Sequence, residues 1–229
     1  MIFAHPATMQ SQQVIVRKAA RALAKCGLVG PYGHCSIRLN ASELLVCAAK
    51  PMGTIAIGED GTIVPIHGPL PEGVLGEVRV HQQIYRRRAD VGAVCRVLPP
   101  NVMMMSALGR APEVRHGFGA FFHPRPAFWS STALMRSDEI AAGVAAALGP
   151  QAGIILRANG AVVAGADMKQ AVTLAWFLED MCRIELGILA TGEANKSPLL
   201  TVEEASGRSE WGGRVAERMW DYLTASDPE

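Results

Sequence analysis

The sequence predicts an α/β domain: a mixed, mainly antiparallel sheet with helices packed against it. Three observations carry this. Short apolar or β-branched runs recur, bounded by Gly, Pro, Asn and Asp. Several successive runs are separated by turn residues alone, which joins them as hairpins. Longer stretches with helical periodicity lie between the runs and supply the covering layers.

In order, residues 1–10 form an irregular lead. Ser11 is the expected N-cap of a first helix, with Val14, Ala19, Leu23 and Ala24 at helical spacing and Gly27 at its end. A glycine-flanked turn, Gly30 to Gly33, enters a strand over 36–39, and ELLVCA makes a second strand over 43–48. Residues 49–54 are a Gly/Pro turn carrying Lys50, and Glu59-Asp60-Gly61-Thr62 is a tight hairpin signal. The loop 67–73 delivers the chain to Glu77. A helix follows, with Val80 and Ile84 on one face and Glu77 and His81 four apart on the next. Asp90 ends it. Residues 91–97 are a buried strand that stops at Pro99-Pro100.

Residues 102–108 predict a short helix whose consecutive methionines fill core. A long irregular loop over 109–129 carries His116 and His123, and loops of that length often bind ligands. Ser137 caps a helix with Asp138 and Glu139 in its first turn, ending at Gly149-Pro150. Strands over 153–157 and 161–164 meet across Ala158-Asn159-Gly160. Asp167 caps a long helix to about Ala190, with Ala171, Leu174, Ala175, Leu178, Met181 and Cys182 as its apolar stripe. Residues 193–208 are polar and expected to be loosely ordered. A last helix over 211–223 docks through Val215, Met219 and Tyr222. The chain thus divides into a domain over 1–192 and an extension over 193–229, packed on the same or a neighbouring subunit.

Composition narrows the function. Of 229 residues 49% are hydrophobic, enough for the core of one large domain. The formal net charge is +1 and no basic run is interleaved with aromatics, so neither nucleic acid nor a membrane surface is an expected partner. Arg86-Arg87-Arg88 is expected to be a solvated helix face. Five scattered cysteines with no C-x-x-C pair suit free thiols in a reducing cytoplasm. Neither a signal pattern nor a membrane-length apolar run occurs.

Several pieces in one order resemble the class II aldolase/adducin superfamily. GHCSIR is similar to the G-H-x-S-x-R of its decarboxylase-like branch. Residues 49–54 resemble the P-x-G-T turn, and IILRANGAVVAG the L-L-R-N-H-G hairpin. The stretch 76–100 keeps Glu77, His81, Tyr85, Arg88, Asp90, Val91 and Pro99 of the family pattern. The resemblance implies a three-layer α/β/α class II aldolase-like domain, a homo-oligomer with a tetramer favoured, active sites between subunits, and Glu77 as the acid that moves protons. It also implies a departure. Arg96, Leu98 and Asn159 stand where metal-dependent members place three histidine ligands, and Leu75-Gly76 replaces the serines that help bind phosphate.

Zinc and similar ions need about four donors, three of them from protein in a catalytic site. Leucine offers none. The sequence therefore predicts no metal, with a divalent ion such as zinc or manganese as the alternative if His34, His116 or His123 rewires the site. Arg96, a fixed and forked cation, is assigned to the charge an ion would hold, against a substrate carboxylate or enolate oxygen. Asn159 supplies a second hydrogen bond and Glu77 handles the proton. His34, Ser36, Lys50, His116 and His123 are the candidate substrate-binding residues. His81 is a weaker candidate for metal binding, and Cys95 is expected to pack inward. The function expected is a metal-independent lyase on a small carboxylated substrate. Decarboxylation of a hydroxy-aromatic or oxo acid comes first, as in aromatic compound catabolism, and retro-aldol cleavage second. The rival is a non-catalytic binding or scaffold protein in which Glu77 and Arg96 form a salt bridge that plugs a dead site.

Overall fold

The computed structural model describes residues 8–229. The expected irregular lead over 1–10 falls mostly outside them. Helix α1 (Met9–Lys25) begins before the expected cap, because the Thr8 hydroxyl, not that of Ser11, accepts the backbone N–H of Ser11 at 3.2 Å. Strands β1 (His34–Arg38), β2 (Glu43–Val46) and β3 (Thr62–Pro65) follow. Residues 59–61 do not close a hairpin between strands. They end a long loop over 47–61, and β3 starts only at Thr62.

A single 3-10 turn, Gly76–Val78, leads into α2 (Arg79–Arg87), and β4 (Ala93–Val97) is buried along its whole length. Next come α3 (Pro100–Ala107), β5 (Ala127–Trp129), α4 (Asp138–Leu148), β6 (Gly153–Leu156), β7 (Ala161–Gly165) and α5 (Met168–Ala190). The expected apolar stripe of α5 is buried in full. The methionines of α3 divide: Met105 is core, while Met104 is exposed. The stretch 109–129 is not wholly irregular, since it holds a 3-10 turn (Gly119–Phe122) and β5.

Among the described residues seven strands form one sheet in the order β3-β2-β1-β4-β7-β6-β5. Every pairing is antiparallel except β5 with β6. Helices α2 and α4 cover one face, and α1 and α5 cover the other. This is the mixed α/β/α architecture that the hairpins and helical stretches predict.

The polar stretch after α5 is better ordered than expected. Thr201 and Glu204 make a reciprocal capping box for α6 (Val202–Arg208), which supplies the partners that its composition hides. Helix α7 (Val215–Thr224) packs on α5 and α1. It docks through Ala216 and Leu223, with Met219 and Trp220 beside them. Tyr222 instead faces out, 72% exposed, because the helical period puts Ala216, Met219, Trp220 and Leu223 on one face and position 222 off it.

Candidate active site

The site is built on the β1–β4 pair. In antiparallel register His34 lies opposite Arg96, and Ser36 lies opposite Val94. Paired residues of this kind point to the same face of a sheet, here the face covered by α2. Two glycines let the chain close around this point. Gly33 has φ +133°, and a Cβ there would stand 2.9 Å from the Arg96 carbonyl oxygen. Gly160 has φ +69°, and a Cβ there would stand 2.3 Å from the Val97 carbonyl oxygen and 3.0 Å from Arg96 Nη1. The 157–160 turn can therefore lie against the end of β4 and bring Asn159 to Arg96.

Arg96 is 2% exposed. Its Nη1 donates to the carbonyl of Val97 at 2.9 Å, and its Nη2 donates to Asn159 Oδ1 at 2.8 Å. Its Nε lies 3.4 Å from Glu77 Oε2, an ion pair by distance whose N–H is not aligned for a hydrogen bond. Burial pulls the guanidinium's pKa down from its ordinary value, and the Glu77 carboxylate opposes that. The three residues assigned to catalysis thus meet at one point, with Glu77 carried by the turn before α2. They line a cavity of about 340 Å³ together with His34 and Leu98. Tyr32, Leu75 and Leu134 form its apolar rim, 75%, 40% and 48% exposed, and Arg136 adds a second cation.

Behind His34 runs a buried polar chain. His34 Nδ1 lies 2.9 Å from His81 Nε2, and His81 Nδ1 lies 2.6 Å from the Ser36 hydroxyl. That hydroxyl lies 2.9 Å from the Tyr85 hydroxyl, which donates to the Ser36 carbonyl at 3.0 Å. Burial, together with the nearby Arg96 charge, pushes His81 down to about 3. Burial first, then His81 and Arg96, pushes His34 well below the ordinary imidazole value. Both rings are therefore neutral near pH 7. His34 Nε2 is buried without a partner among the described residues.

Other candidates lie elsewhere in the chain. Ser36 is fully buried behind His34 and does not reach the cavity. Lys50 pairs with Glu59 at 3.0 Å. His116 faces Asp180 at 3.9 Å, and His123 lines a separate groove of about 660 Å³ with Phe121 and Trp211. None of these three lines the Arg96 cavity: Lys50 is held by Glu59 in the loop after β2, and the 109–129 stretch carries the two histidines past the far end of the sheet, where it runs into β5. Both nitrogens of His81 are committed to His34 and Ser36. Cys95 packs inward as expected. The Arg86–Arg88 cluster is not simply solvated: Arg86 donates to the Ile66 carbonyl, and Arg88 to Asp90 and the Gly149 carbonyl.

Sequence reasoning missed Arg136, the apolar rim and the roles of His81 and Tyr85. A signal for the last two exists. His34 and Ser36 alternate on a strand while His81 and Tyr85 stand four apart on a helix, and those two periods can align one polar stripe.

Comparison with known proteins follows the same lines. The model of the class II aldolase and adducin N-terminal domain matches residues 15–186. The chain belongs to that family. It is 29% identical to a 3,4-dihydroxyphthalate decarboxylase from Arthrobacter keyseri, covering 83% of this chain and 84% of the relative. It is 26% identical to the protein of the same name from Rhodococcus jostii (strain RHA1), covering 80% and 83%. Among solved structures, an L-fuculose 1-phosphate aldolase from Glaciozyma antarctica PI12 superposes with a TM-score of 0.78 at 19% identity, over 97% of this chain and 93% of that one. An aldolase II superfamily protein from Pseudomonas syringae gives 0.77 at 21% identity, over 96% and 93%. These two likenesses concern the fold.

Metal-dependent chemistry is common in the family. Among the described residues no three His, Cys, Asp or Glu side chains converge as a metal site. At the position in question the guanidinium of Arg96 takes up the Asn159 oxygen and faces Glu77. A divalent ion there would meet a fixed positive charge and the side chain of Leu98. The residues present do not fit it.

Proposed function

We propose that the protein is a decarboxylase of a hydroxy-aromatic acid, of the 3,4-dihydroxyphthalate kind, that works without a metal. The decarboxylase reading is supported by the relatives that carry that name over most of their length. The metal-independent part is supported by one observation: a buried guanidinium, braced by Val97 and Asn159, stands beside a carboxylate that lines the same cavity.

The chemistry replaces carbon dioxide by hydrogen on one carbon. The carbon–carbon bond breaks, its electron pair stays on the ring, and one proton is taken up at that carbon. Negative charge spreads meanwhile onto conjugated oxygens. Arg96 holds that charge in a site screened from water, where a fixed cation acts strongly. Glu77, the carboxyl of the cavity, moves the proton. Asn159 Nδ2 makes no hydrogen bond among the described residues and is free to meet a substrate oxygen. The apolar rim of Tyr32, Leu75 and Leu134 suits an aromatic ring. The same rim leaves apolar surface in water, which favours a homo-oligomer, a tetramer first, that closes the cavity mouth. A cytoplasmic setting suits the five free cysteines.

The test is turnover of 3,4-dihydroxyphthalate by the parent chain and by Arg96→Lys and Arg96→Ala. Both variants are expected to lose at least about 100-fold in kcat, since an ammonium cannot reproduce the forked contacts. Retained turnover in either variant, with only a lower melting temperature, would show that Arg96 is a structural plug.

A further inference from the structure

The buried chain behind the cavity has a hydrogen count that fixes what His34 can do. Four contacts link it: His34 to His81, His81 to the Ser36 hydroxyl, that hydroxyl to Tyr85, and Tyr85 to the Ser36 carbonyl. Two neutral imidazoles and two hydroxyls bring one hydrogen each. A carbonyl only accepts, so the Tyr85 hydrogen goes to the Ser36 carbonyl. The Ser36 hydrogen then fills the contact to the Tyr85 oxygen. His81 Nδ1–H donates to the Ser36 oxygen, and His34 Nδ1–H donates to His81 Nε2. All four contacts are filled and no hydrogen remains for His34 Nε2. Running the chain the other way leaves the Tyr85–carbonyl contact without a hydrogen, a cost paid inside the protein.

His34 therefore presents a bare lone pair. It lines the cavity, and its Nε2 is buried with no partner among the described residues. Directly opposite it in register stands Arg96, whose buried Nε–H also makes no hydrogen bond. The cavity is thus lined by one residue with an open acceptor, His34, and one with an unfilled donor, Arg96, whose Nε–H Glu77 Oε2 approaches only to 3.4 Å without alignment. A carboxylate would satisfy the donor but repel the lone pair. A hydroxyl satisfies both.

We propose that His34 and Arg96 together form a hydroxyl subsite, in which the substrate's hydroxyl donates to His34 Nε2 and accepts from Arg96 Nε–H. On this assignment, which rests on the reading of this cavity as the substrate site, His34 determines specificity for hydroxy-substituted acids. His81, Ser36 and Tyr85 are positioning residues that hold its tautomer.

The experiment needs no turnover. Histidine labelled with nitrogen-15 reports which ring nitrogen carries the hydrogen, and titration with salicylate and with benzoate probes the subsite. In the parent protein His34 Nε2 is expected to be unprotonated, and salicylate to bind at least about tenfold tighter than benzoate, about 1.4 kcal/mol. Tyr85→Phe removes the carbonyl contact and frees the chain to reverse. The hydrogen should then appear on His34 Nε2 and the tenfold preference should vanish. Ser36→Ala, which cuts the chain one link nearer, should also abolish the preference, and it serves if Tyr85→Phe does not fold. A hydrogen on Nε2 in the parent protein, or equal binding of the two acids, overturns the subsite. Failure to decarboxylate any hydroxy-aromatic acid would instead overturn the proposed function and leave the tautomer result standing.

Discussion

Arg96 is a charge held where few charges are tolerated, and its surroundings explain why. Its Nη groups are spent on Val97 and Asn159, so what faces the cavity is chiefly its Nε edge beside Glu77. Glu77→Gln keeps the shape of that edge but cannot move a proton. It should lower kcat by about 100-fold or more while leaving the melting temperature nearly unchanged. A loss of stability with unchanged kcat would mark the pair as structural. Gly160→Ala tests the packing on the other side. Its Cβ would collide with the Val97 carbonyl, so a loss of about 2 kcal/mol or more in denaturant unfolding is expected, together with weakened turnover as Asn159 shifts. At this scale the sequence was informative where residue type alone decided chemistry. Set against the family pattern they resemble, Arg96, Leu98 and Asn159 mark the absent imidazoles without any structure. It was uninformative about His81, because a histidine on a helix does not reveal which strand residues will face it.

Elements were legible where periodicity was strong and hidden where a few local bonds decide. The stripe of α5 followed from its spacing, and the hairpin at 158–160 from its turn residues. Helix α6 did not, because its stability depends on the Thr201–Glu204 box more than on an apolar face. Thr201→Ala should destabilise α6 by about 1 kcal/mol, read as faster hydrogen exchange over 202–208 with α5 unaffected. Unchanged exchange would mean that packing of Ala205 alone holds the helix. The 109–129 stretch misled for a related reason. β5 is short and half-buried, so it leaves no clear alternation, and His116 and His123 were carried with it away from the cavity.

For the whole molecule, the buried histidines tie stability to pH. An unfolded imidazole takes up its proton near its ordinary value of 6.5, whereas folded His81 resists until about 3 and His34 is likewise depressed. Below about 6.5 the unfolded state binds more protons, so stability falls as pH is lowered toward about 3. The carboxylates lowered by Arg17 and Arg21, chiefly Glu229, add their own loss only below the ordinary glutamate value of 4.5. Chemical denaturation between about pH 4.5 and 6.5 should therefore show a decline that His81→Gln reduces. A flat profile in the parent protein would mean that the two rings are protonated in the fold. Among the described residues no helix is long and apolar enough to cross a membrane.

The most direct measurement is of metal content and rate together. The protein is purified without chelator, assayed for zinc, manganese and iron, and its decarboxylation of 3,4-dihydroxyphthalate is followed before and after chelation. If a guanidinium has taken over from the ion, each metal is well below one per chain and the rate survives the chelator. Near-stoichiometric metal, with activity lost on chelation and restored by the same ion, would contradict it.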